Sequence, residues 1–194
     1  MASSTCTGGA EWTCWLASQA DVLNNIANSM LPVQRLITGA AYLLGCMFIF
    51  KAIYSLKQFG ESKTMMSSSA SLKEPVIYLI VGAVLIYFPT AFSALMKSTF
   101  GYENVLQYAP INSGNAALDT LFGSGSIVGR PLVIIIRVVG LIAFVRGWVL
   151  IARSSGQGQQ PGGTGKGFMH VFGGILAINI VGTLNMINNT LYGT

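Results

Sequence analysis

Charge is what this chain has least of. Only 9% of its 194 residues are Asp, Glu, Lys or Arg, against 52% hydrophobic; a soluble domain carries about 25% charged residues. So little charge excludes a surface that meets water on all sides, and a mean hydropathy of +0.60 turns much of that surface toward lipid. Histidine is nearly absent as well, with His170 alone. No cysteine pair stands near it at ligand spacing, so neither a metal nor any other cofactor is expected. Residues 1–30 lack Lys and Arg, and their apolar positions are spaced rather than continuous, which argues against a cleavable signal peptide. Insertion is then expected to use the first spanning helix itself.

What the chain does have is four apolar stretches of about 20 residues, each long enough for a hydrocarbon core roughly 30 Å thick. They cover residues 36–56, with Lys51 as the one charge; 76–96, with none; 131–152, with Arg137 and Arg146; and 168–191, the most polar, with His170, Asn179, Asn185, Asn188 and Asn189. Backbone in lipid must satisfy its own hydrogen bonds, so these stretches are read as helices. The fold expected is all-α: an integral membrane protein whose four transmembrane helices form two hairpins, preceded by an amphipathic helix. Residues 1–34 are that amphipathic segment, with Trp12, Leu16, Leu23, Ile26 and Met30 at helical spacing. Residues 35–100 are the first hairpin, 101–129 a connector, and 130–194 the second hairpin. Pro89 is expected to kink the second helix.

The net charge of +5 does not point to nucleic acid. The basic residues stand singly at the ends of apolar blocks, not in a stripe interleaved with aromatics. Their distribution speaks of topology instead. Lys57, Lys63 and Lys73 lie in the first short loop and Arg153 and Lys166 in the second, against Arg35, Lys97 and Arg130 on the other side. The positive-inside rule then places both loops in the cytoplasm and both termini outside. The halves also resemble each other. One register pairs Arg35 with Arg130, Gly45 with Gly140 and Lys51 with Arg146; after a small change in loop length, Gly82 pairs with Gly174 and Phe100-Gly101 with Tyr192-Gly193. Duplication and chance likeness of two apolar hairpins both account for this.

Small residues mark candidate helix contacts. Ala41 with Gly45, and Gly173 with Ala177, have a spacing that lets backbones approach, with Gly174 on the adjoining face; small residues are also simply frequent in membrane helices. Arg137 is the unusual charge, because it lies inside a helix on the side where a basic residue is disfavoured and no acid occurs in the four stretches. Either it faces a channel or a partner's carboxylate, or it snorkels toward the outer interface with help from carbonyls and lipid phosphate. Cys6 and Cys14 fall in the segment expected outside, where they form a disulfide or remain two free thiols. The glycine-rich run ending at Lys166 fails as a P-loop, with Gln160 where the first glycine belongs and Gly167 after the lysine. A lone histidine with no membrane carboxylate to orient it offers little to catalysis, so no enzyme is expected.

The stretches GAAYLLGCMFIFKAIYSLKQFGES and GGTGKGFMHVFGGILAINI, together with the length and the order of segments, resemble the IcmC/DotE family of the Dot/Icm type IVB secretion system. The resemblance covers essentially the whole chain. It implies a structural subunit in the inner membrane of a Gram-negative bacterium, within a machine that exports effector proteins. Its partners would be other Dot/Icm inner-membrane and periplasmic subunits and membrane lipid, in a large hetero-oligomer. The family brings no catalytic motif. A looser likeness, mostly of hydropathy, is to the pilins of conjugative type IV systems, which leaves a pilin-like or channel-forming homomultimer as the alternative.

Overall fold

In a computed structural model, residues 11–64, 71–105, 121–123, 126, 128–156 and 163–192 are described, with 11–20 and 64 as backbone only. Their regular structure is entirely helical: α1 (Glu11–Thr64), α2 (Lys73–Ile86), α3 (Phe88–Phe100), α4 (Gly129–Arg153), α5 (Gly163–Ile178) and α6 (Ile180–Tyr192). Two helices are long and apolar enough to cross a membrane, α1 through its segment Asp21–Lys63 and α4. The number rises to four if the bent pairs α2/α3 and α5/α6 each count as one span.

Glycine sets the way the helices pair. A Cβ on Gly45 of α1 would lie 2.9 Å from the Ile86 nitrogen and 3.0 Å from the Gly82 carbonyl of α2. The second hairpin makes this contact twice. Gly140 of α4 leaves 2.9 Å to the Gly174 carbonyl of α5, and Gly147 leaves 2.8 Å to that of Gly167. Any side chain would force these backbones apart, which is why small residues concentrate where membrane helices cross. Both pairs are antiparallel. Along the first, Lys51 places its Nζ 4.3 Å over the Tyr78 ring, and Phe48 stacks on the same ring.

The hairpins share one core. Phe144 of α4 meets Phe88 edge-on at 5.5 Å, Phe92 at 6.1 Å and Trp148 at 6.3 Å, while Met96 of α3 is fully buried. Such aromatic pairs contribute about 0.5–1.5 kcal/mol each beyond the area they bury. A Cβ on Gly156, just past α4, would lie 3.6 Å from the Tyr78 hydroxyl. With Gly156 by Tyr78 and Phe144 by Phe88, α2 runs antiparallel to α4, so α1 and α4 point the same way. Both hairpin turns therefore lie at the same end of the molecule.

Three features differ from the sequence reading. First, there is no break near residue 34. The expected amphipathic helix and the first spanning helix are one helix of 54 residues that passes through Pro32. Proline inside a helix loses a hydrogen bond and costs about 3 kcal/mol. Here Pro32 and Asn28, whose carbonyl loses its donor, are both exposed, so the carbonyl can be solvated. One stripe of less exposed residues, Leu23, Ala27, Met30, Ile37, Ala41, Leu44, Phe48 and Ala52, runs through both parts.

Second, the kink expected at Pro89 is a break, with α2 and α3 at 93°. Pro89 cannot bond the Leu85 carbonyl four residues back and its ring crowds it. The chain leaves the helix at Tyr87 (φ −89°, ψ 32°) and restarts with proline in the first turn of α3. At the far end, Gly101 in the left-handed region (φ +81°) closes α3, where any side chain would be strained. Third, the last apolar stretch, read as one helix, is α5 and α6 meeting at 89°. The two breaks correspond. The 92-residue shift that pairs Gly82 with Gly174 also takes Tyr87 to Asn179, so both halves are hairpins broken at the same position.

Candidate functional site

The second break gathers the polar residues of the molecule's interior. No proline causes it. Asn179 is almost fully buried and Thr183 nearly so, and side chains of these types compete with a helix for its backbone partners. The one Thr183 hydroxyl proton is shared between the Leu176 carbonyl at 2.9 Å and the Asn179 carbonyl at 3.0 Å. The Asn179 amide donates to the Tyr102 hydroxyl at 2.7 Å. Tyr102 comes from the segment after α3, so the tail of the first hairpin is tied to the bend of the second.

Gly182 makes room for that tie. A Cβ there would run into the Tyr102 hydroxyl and the Asn179 amide nitrogen. Phe122, Val133 and Val181 form a small apolar cluster beside the bend and hold α6 against the start of α4.

Arg137 belongs to this site. Its Nε donates to the Ile178 carbonyl at 3.4 Å, a long bond that places the guanidinium at the carbonyl end of α5. That end bears the partial negative charge of the helix dipole, and a cation there stabilises by about 0.3–2 kcal/mol. Broken helices in transporters can leave such an end to coordinate an ion; here a guanidinium of the same chain faces it. The arrangement fixes a sharp bend and can resist its straightening. It offers no nucleophile with an adjacent base.

The other residues singled out in the sequence are distributed as follows. Ala41 and Gly45 lie buried on α1, with Gly45 at the α2 crossing. Gly174 and Ala177 meet α4, since a Cβ on Gly140 would lie 2.8 Å from that of Ala177. Gly173 does not share this contact: a Cβ there meets nothing within 4 Å, because one residue along a helix turns the side chain by about 100°. Cys6, and the side chain of Cys14, lie outside the described residues. His170 uses its Nδ1 on the Lys166 carbonyl at 2.8 Å. Among the described residues no three His, Cys, Asp or Glu side chains form a group that could hold a metal ion.

Tyr102, Thr183 and Gly182 were not legible as site residues. Tyr102 stands 77 positions from Asn179, and a threonine and a glycine in an apolar stretch are ordinary. The polar residues of that stretch are the one signal in the sequence, and by themselves they do not distinguish a break from one polar helix. Compared with protein families, with curated proteins and with solved structures, the chain matches none of them.

Proposed function

We propose that this chain is a structural, non-enzymatic subunit of the inner-membrane part of a Dot/Icm type IVB secretion apparatus that exports effector proteins. It sits in the membrane as two broken hairpins, with both turns in the cytoplasm and both termini in the periplasm. Its neighbours are other inner-membrane and periplasmic subunits, in a hetero-oligomer. The type of apparatus rests on the sequence resemblance to the IcmC/DotE family. The structural role rests on one observation, the length of α1.

At 1.5 Å per residue, 54 helical residues extend about 80 Å, more than twice the roughly 30 Å of a hydrocarbon core. Antiparallel pairing with α2, which has 14 residues, covers only a fraction of it. On one side of that region, α1 continues from Arg35 back to Glu11. Its exposed residues there include Asp21, Asn25, Asn28 and Ser29 beside Val22, Ile26 and Leu31. A helix of this length, with exposed polar and apolar residues side by side, suits contact with a protein neighbour outside the bilayer.

The test is gentle detergent extraction of the tagged chain from its own bacterium, followed by sizing and mass spectrometry. Recovery with several other secretion-system membrane proteins is the expected result. A homogeneous multimer of this chain alone would favour the pilin-like or channel-forming alternative.

A further inference from the structure

A groove of about 500 Å³ runs between α1 and α4 on the outer face of the bundle. Leu36, Ala40 and Leu44 of α1 and Val149 of α4 line its apolar part, and Arg146 and Arg153 are part of the same wall. Seven residues apart, the two arginines share one side of α4, about 10 Å from each other along its axis. Both are exposed, and among the described residues neither forms a salt bridge. Each hairpin turn is at the Arg153 end of the groove, the end that the basic loops assign to the cytoplasm.

We propose that this groove binds an anionic phospholipid of the cytoplasmic leaflet, its acyl chain along α1 and its phosphate on Arg146 and Arg153. Guanidinium is a good phosphate ligand, because its planar donors match two oxygens at once. Arg146, inside the apolar stretch, is costly in a bilayer unless water or an anion reaches it, and Arg153 stands at the cytoplasmic end of the same helix. A lipid supplies both parts in one molecule, and basic pockets between membrane helices on the cytoplasmic side are known to hold acidic headgroups. The volume suits extended hydrocarbon better than a protein helix, which is about 10–12 Å across with its side chains. This inference needs only membrane insertion in the orientation given, and stands apart from the choice of apparatus.

The experiment is native mass spectrometry of the full chain, released from vesicles of equal phosphatidylglycerol and phosphatidylethanolamine. The unaltered protein is expected to retain several-fold more phosphatidylglycerol. The double substitution Arg146→Gln with Arg153→Gln should bring the two lipids to parity. Ala40→Phe keeps both charges but fills the groove, and should lower retention of phosphatidylglycerol; it provides the test if the double variant does not fold. Equal retention by the unaltered protein would overturn the proposal. So would a preference that survives in a folded double variant, or retention unchanged by Ala40→Phe. Millimolar inorganic phosphate should leave the bound lipid in place, and its displacement would show that the acyl seat contributes nothing.

Discussion

An arginine in an apolar helix costs at least a few kcal/mol unless something polar faces it, and Arg137 faces the carbonyl end of α5. Replacing it with glutamine removes the charge at that helix end and weakens its hold on the Ile178 carbonyl. Arg137→Gln is therefore expected to lower stability in detergent by about 1–3 kcal/mol, the cost of stranding a buried polar group. Thermal unfolding followed by circular dichroism measures it, and a midpoint equal to that of the unaltered chain would show that the contact contributes nothing. Gly182 gives a second prediction at the same scale. Its Cβ position is occupied by the Tyr102 hydroxyl and the Asn179 amide, so Gly182→Ala should separate them and cost about 1–3 kcal/mol by overpacking. Tyr102→Phe, which removes only the hydroxyl, should cost about 1 kcal/mol. If alanine at 182 is harmless, the tie between the hairpins is not made there.

Between elements, the second hairpin has a closer and longer seam than the first. Gly140 with Gly174 and Gly147 with Gly167 are two backbone approaches seven residues apart on each helix. The first hairpin has Gly45 with Gly82 and then Ala52 and Pro75, both buried, at the corresponding places. Adjacent glycines in α5 supply a sharp comparison. Gly174→Leu must push α4 away and is expected to destabilise the hairpin by several kcal/mol, beyond ordinary overpacking. Gly173→Leu enters open space and should cost nothing, with helix propensity favouring leucine by up to about 1 kcal/mol. Thermal unfolding of the two variants side by side checks the register, and equal losses would mean that α5 is rotated from the position described. Gly45→Leu should likewise weaken the first hairpin without preventing membrane insertion and, on the function proposed above, reduce incorporation into the apparatus. Normal assembly and secretion with that variant would count against a role for the α1–α2 seam.

For the whole molecule, orientation is the quantity that decides what each end can touch. With both turns at one end, the positive-inside rule acts on them together. A cysteine placed by Lys57→Cys, in a chain with Cys6→Ser, Cys14→Ser and Cys46→Ser, should react with a membrane-impermeant thiol reagent only once the cytoplasmic side is opened. Asn189→Cys, near the end of α6, should react from outside without opening. The reverse pattern would turn the molecule over and put the N-terminal part of α1 in the cytoplasm. Both right-angle bends then matter for shape. α2 and α5 extend only about 21–24 Å before turning, so α3 and α6 run across the bundle, and the tail of α3 reaches the second bend through Tyr102.

Membrane class, helical content and the place of the first break are legible in the amino-acid sequence. These follow from composition, from runs of apolar residues and from one proline, all of which act locally. The remaining features come from contacts between residues far apart in the chain. That α1 runs unbroken through Pro32 depends on a packing stripe shared by both of its parts and on solvent at Asn28. That α5 ends at Ile178 depends on Arg137 and Tyr102, which lie 41 and 77 positions from the residues they meet. Hydropathy averages over a stretch and does not see such partners. A bend of 89° costs several hydrogen bonds unless the freed groups are met, and which groups meet them is a property of the folded chain alone.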